Sequence, residues 1–134
     1  MTIVAYAKSI LALIGAGVGW YFGGADNTLI ILLVLVILDY CTGVIAAVIN
    51  KCLCSDVGLR GIMKKVFIFI LIGVANLVDN TIFQNAVPLN ESVTFFYIAN
   101  EAISIAENAG RIGLPLPPKF KEILINLEKD QHKK

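Results

Sequence analysis

A chain of 134 residues with 57% hydrophobic residues, 16% charged residues and a mean hydropathy of +0.80 lies far from the composition of a soluble domain. That length leaves no room for a separate soluble catalytic domain beside a membrane part. The formal net charge of +1 hides an asymmetry: every Lys and Arg falls at Lys8, between Lys51 and Lys65, or from Arg111 to Lys134.

The first apolar segment runs from about Ile3 to Phe22 and stops at Gly23-Gly24-Ala25-Asp26-Asn27. It has no basic stretch before the apolar run and no convincing cleavage site, and a second apolar segment follows at once. It therefore reads as a retained span rather than a signal peptide. Gly15, Gly19 and Gly23 share one face in two overlapping G-x-x-x-G steps, a spacing that lets backbones approach where lipid supplies no hydrophobic effect. Glycine is also common in membrane helices, so the stripe alone does not establish an oligomer face.

The second segment, Thr28 to Ile49, is almost wholly apolar apart from Asp39 near its centre. As a helix it matches the roughly 30 Å of a bilayer interior. A carboxylate at that depth costs about 2.5–3.5 kcal/mol on insertion scales, so it is expected to face a bundle, a partner or water. Gly43, Ala46 and Asn50 lie on the same face as Asp39. A polar connector, Asn50 to Gly61, leads to a third segment from about Val66 to Phe83, with Lys64 and Lys65 at its mouth. Gly73, Asn76, Asp79 and Asn80 share one face of that segment.

After a loop containing Pro88, a fourth segment covers Val93 to about Ala109. At 100° per residue, Tyr97, Asn100, Glu101, Ser104, Glu107, Asn108 and Arg111 fall within an arc of about 120°. Two readings stay open: a span whose polar stripe faces the bundle or an aqueous path, or an amphipathic helix lying at the interface. The polar face is acidic, whereas interfacial helices usually carry Lys or Arg, which favours the span. Lys8 and Glu101 sit about 8 and 12 Å from the inner ends of their segments. They are expected either to pair with each other or, for Lys8, to snorkel to the headgroups.

Pro115, Pro117 and Pro118 close the helical region. Lys119 to Lys129 then reads as a short amphipathic helix with Phe120, Ile123, Leu124 and Leu127 on one face. Residues 1–110 form the membrane region and 111–134 a basic tail suited to anionic headgroups. The basic residues place both termini and the connector on the cytoplasmic side of four spans. The fold class is an all-α integral membrane bundle of about four transmembrane helices plus the C-terminal amphipathic helix, with polar and small faces suited to an oligomer.

No catalytic, cofactor or metal site is expected. Cys52-x-Cys54 lacks further ligands, Cys41 lies within a span, and His132 sits in the charged tail. There is no nucleic-acid signature. The residues to watch are Gly15, Gly19, Gly23, Gly43 and Gly73 for helix packing. Lys8, Asp39, Asn76, Asp79, Asn100, Glu101, Ser104, Glu107 and Asn108 are the buried or pore-facing polar groups.

Three stretches resemble the toxin-secretion and phage-lysis holins. They are Asp39-Tyr40-Cys41-Thr42-Gly43-Val44-Ile45-Ala46-Ala47; Ser55 to Lys65 followed by Asp79; and Asn100 to Asn108 followed by Gly113-Leu114-Pro115-Leu116-Pro117. The resemblance covers about Leu38 to Leu127 in order and spacing. It implies a homo-oligomer in the cytoplasmic membrane of a bacterial host that opens lesions for an endolysin or a large toxin, transforming no substrate. Family descriptions often count three spans, one fewer than read here. From the residues alone, a small four-helix transporter and a membrane scaffold or anchor compete with this reading.

Overall fold

A computed structural model of the chain describes residues 2–24, 26–52 and 55–131. Cys54 and His132 lie outside the described residues, as do the side chains of Leu124 and Leu127. Five helices follow one another: α1 (Thr2–Phe22), α2 (Asn27–Ile49), α3 (Ser55–Thr81), α4 (Leu89–Arg111) and α5 (Pro118–Gln131). Three of these, α1, α2 and Gly58–Thr81 of α3, are long and apolar enough to cross a membrane.

Local chemistry sets the boundaries. Gly23 and Gly24 take φ of 78° and 104°, a region that costs glycine nothing, and the Gly24 N–H turns back to Gly19 O at 2.7 Å to close α1. Asp26 caps α2 by accepting from Leu29 N at 2.9 Å. The third helix begins at Ser55, well before the Val66 expected from hydropathy, so the connector between α2 and α3 shortens to residues 50–54. It ends in a loop with Gln84 and Asn85 at positive φ. Helix α4 begins at Leu89, a turn earlier than expected. Pro118 opens α5 at the first helical position, where a missing N–H is harmless.

Helices α2 and α4 lie side by side and parallel. Near their starts, Leu29 and Leu32 pack in one cluster with Val93, Tyr97 and Ile98. Near their ends, Asn50 Nδ2 donates to Arg111 O at 3.3 Å. Helix α3 runs antiparallel to both and brings Ile68 and Ile72 into the same core, with Val36 and Phe69. Outside this core the surface is apolar, with Phe67, Phe95, Phe96 and most aliphatic side chains exposed. Lipid, not water, is the solvent that suits such a surface.

Helix α1 stands apart. From Thr2 to Val18 every residue is exposed, and only the last turn touches α3. There the Tyr21 hydroxyl donates to Ile70 O at 2.8 Å, and Phe22 meets Phe69 edge to face with centroids 6.2 Å apart. The tyrosine ring lies directly over Gly73, where an added Cβ would come within 1.7 Å of Cε1.

Candidate functional site: a charge cluster across three helices

Asp39 on α2, Lys65 on α3 and Glu101 on α4 each lie ten residues from the helix end marked by Ile49, Ser55 and Arg111. At 1.5 Å per residue that is a common depth of about 15 Å, close to the middle of a bilayer interior. The three meet. Lys65 Nζ donates to Asp39 Oδ2 at 2.6 Å and to Glu101 Oε2 at 2.5 Å. Asp39 is 8% and Glu101 3% exposed, so both carboxylates are withdrawn from the surface onto a single ammonium.

Asn108, about two turns further along α4, completes the arrangement. Its Nδ2 reaches Asp39 Oδ1 at 3.0 Å, Asp39 O at 3.2 Å and Thr42 Oγ1 at 3.0 Å. It sits over Gly43, where an added Cβ would meet Nδ2 at 3.5 Å. Thr42 in turn bonds back to Asp39 O. These contacts tie α2, α3 and α4 by directional bonds that lipid cannot replace. Beside them a cavity of about 700 Å³ opens between α3 and α4, lined by Asp39, Lys65, Tyr97, Asn100, Glu101 and Ser104 among others.

A second polar group clamps the opposite end of the bundle. Asp79, 6% exposed, accepts from Leu89 N at 3.2 Å and Asn90 N at 2.6 Å. It thus caps α4 from α3, and its negative charge suits a helix N-terminus. Asn90 Nδ2 donates to Phe22 O at 3.4 Å, and Asn76 Nδ2 to Trp20 O and Tyr21 O at 3.4 and 3.0 Å. The last carbonyls of α1, which no helical N–H can reach, are satisfied by asparagines of α3 and α4. Gly23 lies against Asn76 Oδ1 and has no room for a side chain.

Of the polar residues singled out in the sequence, Asp39, Asn76, Asp79, Glu101 and Asn108 are buried, Ser104 is half-buried, and Lys8, Asn100 and Glu107 are exposed. Among the small residues, Gly23, Gly43 and Gly73 lie under a neighbour, whereas Gly15 and Gly19 face open space. Glu101 is held by Lys65 and not by Lys8, which lies on the exposed part of α1. Lys65 is the group that sequence reasoning missed as a site. With the third segment started at Val66, it falls at the membrane edge.

The family model for the bacteriophage holin family matches residues 16–129. The chain belongs to that family. The match covers all the residues of the charge cluster and of the outer clamp. A protein of Bacillus phage phi105 described as a probable holin is 38% identical over 114 residues, covering 85% of this chain and 84% of its own. An uncharacterized 14.9 kDa protein of Clostridium perfringens is 42% identical over 125 residues, 93% of this chain and 95% of its own. An uncharacterized protein of Halalkalibacterium halodurans is 40% identical over 134 residues, 96% and 98% of the two chains. No solved structure matches. Holins are membrane proteins without enzymatic activity, and with three apolar helices this chain is a multi-pass member.

Proposed function

We propose that this holin assembles in the cytoplasmic membrane of a bacterial host and opens lesions through which an endolysin, or a large toxin, leaves the cell. The observation that carries the reading is a polar network, Asp39–Lys65–Glu101–Asn108, packed inside a helical bundle of the bacteriophage holin family. A bundle that hides such groups as a single copy can turn them to water only by parting its helices. Assembly of many copies supplies replacement contacts for the apolar faces. Helix α4 serves as a fourth span in this scheme. Its parallel, level packing on α2 and its acid at the depth of Asp39 support that over an interfacial position.

The decisive experiment is induced expression beside a co-expressed endolysin. A sudden collapse of membrane potential followed by release of the endolysin is expected. Saturable flux of small cations without loss of macromolecules would point to a transporter, and an intact membrane to a scaffold.

Two further outcomes follow from the proposal. Both termini are cytoplasmic, so single cysteines at Asn27 and Asn90 should label from outside and those at Asp56 and Gln131 only from inside. Labelling of positions 90 and 131 from the same side would remove α4 as a span. The second concerns α1, whose Gly15 and Gly19 have no neighbour within 4 Å. If copies pack through that face, Gly19→Leu should reduce oligomer size on crosslinking and delay lysis at equal protein level. Oligomers and timing like wild type would make the glycines incidental.

A further inference from the structure

The charge cluster contains two acids and one base, and the hydrogen bonds do not serve the acids equally. Asp39 has a donor on each oxygen, Lys65 on Oδ2 and Asn108 on Oδ1, which is the environment of an ionised carboxylate. Glu101 is more deeply buried, yet its one donor among the described residues is Lys65 on Oε2. Among the described residues no donor reaches Oε1, which is not fully enclosed. Lys65 can balance one negative charge only, and an uncompensated charge at this depth is expensive.

We propose that Glu101 is a proton-binding site: at neutral pH Oε1 carries a hydrogen taken from water, and the cluster is neutral as Asp39⁻, Lys65⁺ and an uncharged Glu101. A metal ion is the other way to supply the missing positive charge, but the Lys65 ammonium already occupies the space between the two carboxyl groups, and Lys64 lines the same cavity. The charged groups against Glu101 are Asp39 from α2 and Lys65 from α3; Tyr97 of α4 and the exposed Lys64 of α3 line the same cavity, and the exposed length of α1 contributes none.

The consequence is a switch with a definite sign. Loss of the proton leaves one net negative charge inside the bundle, so the packed arrangement of α3 and α4 is favoured at low pH and weakened as pH rises through the point at which Glu101 ionises. The roomy cavity beside it, about 700 Å³, is where water would enter to solvate that charge.

This assignment is independent of lesion formation, and so is its test. The full-length protein in phosphatidylcholine vesicles is examined by infrared spectroscopy at pH 7 for the C=O stretch of a protonated carboxylic acid. One such band per chain is expected, shifted in heavy water and bleached on raising the pH. Glu101→Gln should abolish it. Asp39→Asn should abolish it too, because Lys65 then has Glu101 as its sole partner and that carboxyl ionises. Circular dichroism checks that each variant keeps its helices; should Glu101→Gln unfold, the Asp39→Asn comparison and the wild-type pH titration decide. A wild-type spectrum without the band at pH 7, or a band of unchanged intensity in Glu101→Gln, overturns the proposal. So does an undiminished band in Asp39→Asn.

Discussion

Replacing Lys65 by methionine is expected to destabilise the helical bundle by about 3–5 kcal/mol, the usual penalty for removing one partner from a buried ion pair. Methionine retains most of the apolar stem, so the loss is that of the ammonium. Both carboxyl groups then lack their common donor, Asp39 keeping only Asn108 and Glu101 none among the described residues. Unfolding followed by helical signal in a detergent titration measures the difference. The companion variant is Lys65→Met with Asp39→Asn and Glu101→Gln, which removes every charge from the cluster. Because whole buried ion pairs are often replaced at little cost, the triple variant should recover most of the lost stability. If Lys65→Met unfolds at the wild-type midpoint, the three side chains are not the lock that their distances indicate. If the triple variant is as weak as the single one, packing volume rather than charge is responsible.

The effect exceeds that of a surface pair because of where the cluster sits. An exposed ion pair is worth about 0–1 kcal/mol, since water solvates the separated charges nearly as well. Lys65 has 15% of its side chain exposed and Glu101 only 4%, and the surrounding surface is suited to lipid. Separation there leaves each group without a substitute partner. This is also why the cluster fixes register: Asp39, Lys65 and Glu101 meet only when α2, α3 and α4 stand at one level, and a shift by a helical turn would part them by about 5.4 Å.

How far this was legible from the chain depends on the kind of signal. The apolar lengths gave α1 and α2 nearly to the residue, because glycine pairs, Asp26 and the polar connector punctuate them. The 100° spacing gathered Glu101 and Asn108 onto one stripe, and depth alone marked Asp39 as needing company. Lys65 escaped because hydropathy starts a span where charge ends, whereas the helix continues through charged residues back to Ser55. The clue was present: Ser55-Asp56 is a good helix start, and counting ten residues from it brings Lys65 level with Asp39 and Glu101. What no periodicity contains is which faces meet. Gly19 and Gly73 look alike as small residues on apolar helices, yet Gly73 lies under Tyr21 and Gly19 under nothing. Tyr21 and Gly73 are far apart along the chain, and only the packing of α1 on α3 joins them.

That junction carries the second large effect. Gly73→Ala is a gain in helix propensity of up to about 1 kcal/mol on backbone grounds. Its new methyl would lie 1.7 Å from Tyr21 Cε1, so the ring must leave, and overpacking of this kind costs about 1–3 kcal/mol. The clash wins. Tyr21 also gives up its bond to Ile70 O, and the last turn of α1 keeps only the asparagine contacts and the Phe22–Phe69 pair. With spin labels at Ile10 of α1 and Ile37 of α2, both exposed, in a background with Cys41, Cys52 and Cys54 replaced by serine, the wild-type distance distribution should be narrow. Gly73→Ala should broaden it, and Tyr21→Ala should broaden it by loss of the same anchor. The double variant is the test of mechanism. Once the ring is gone the added methyl meets nothing, so Tyr21→Ala with Gly73→Ala should be no broader than Tyr21→Ala alone. Additive broadening, or a Gly73→Ala distribution as narrow as wild type, would mean that α1 is held elsewhere along its length.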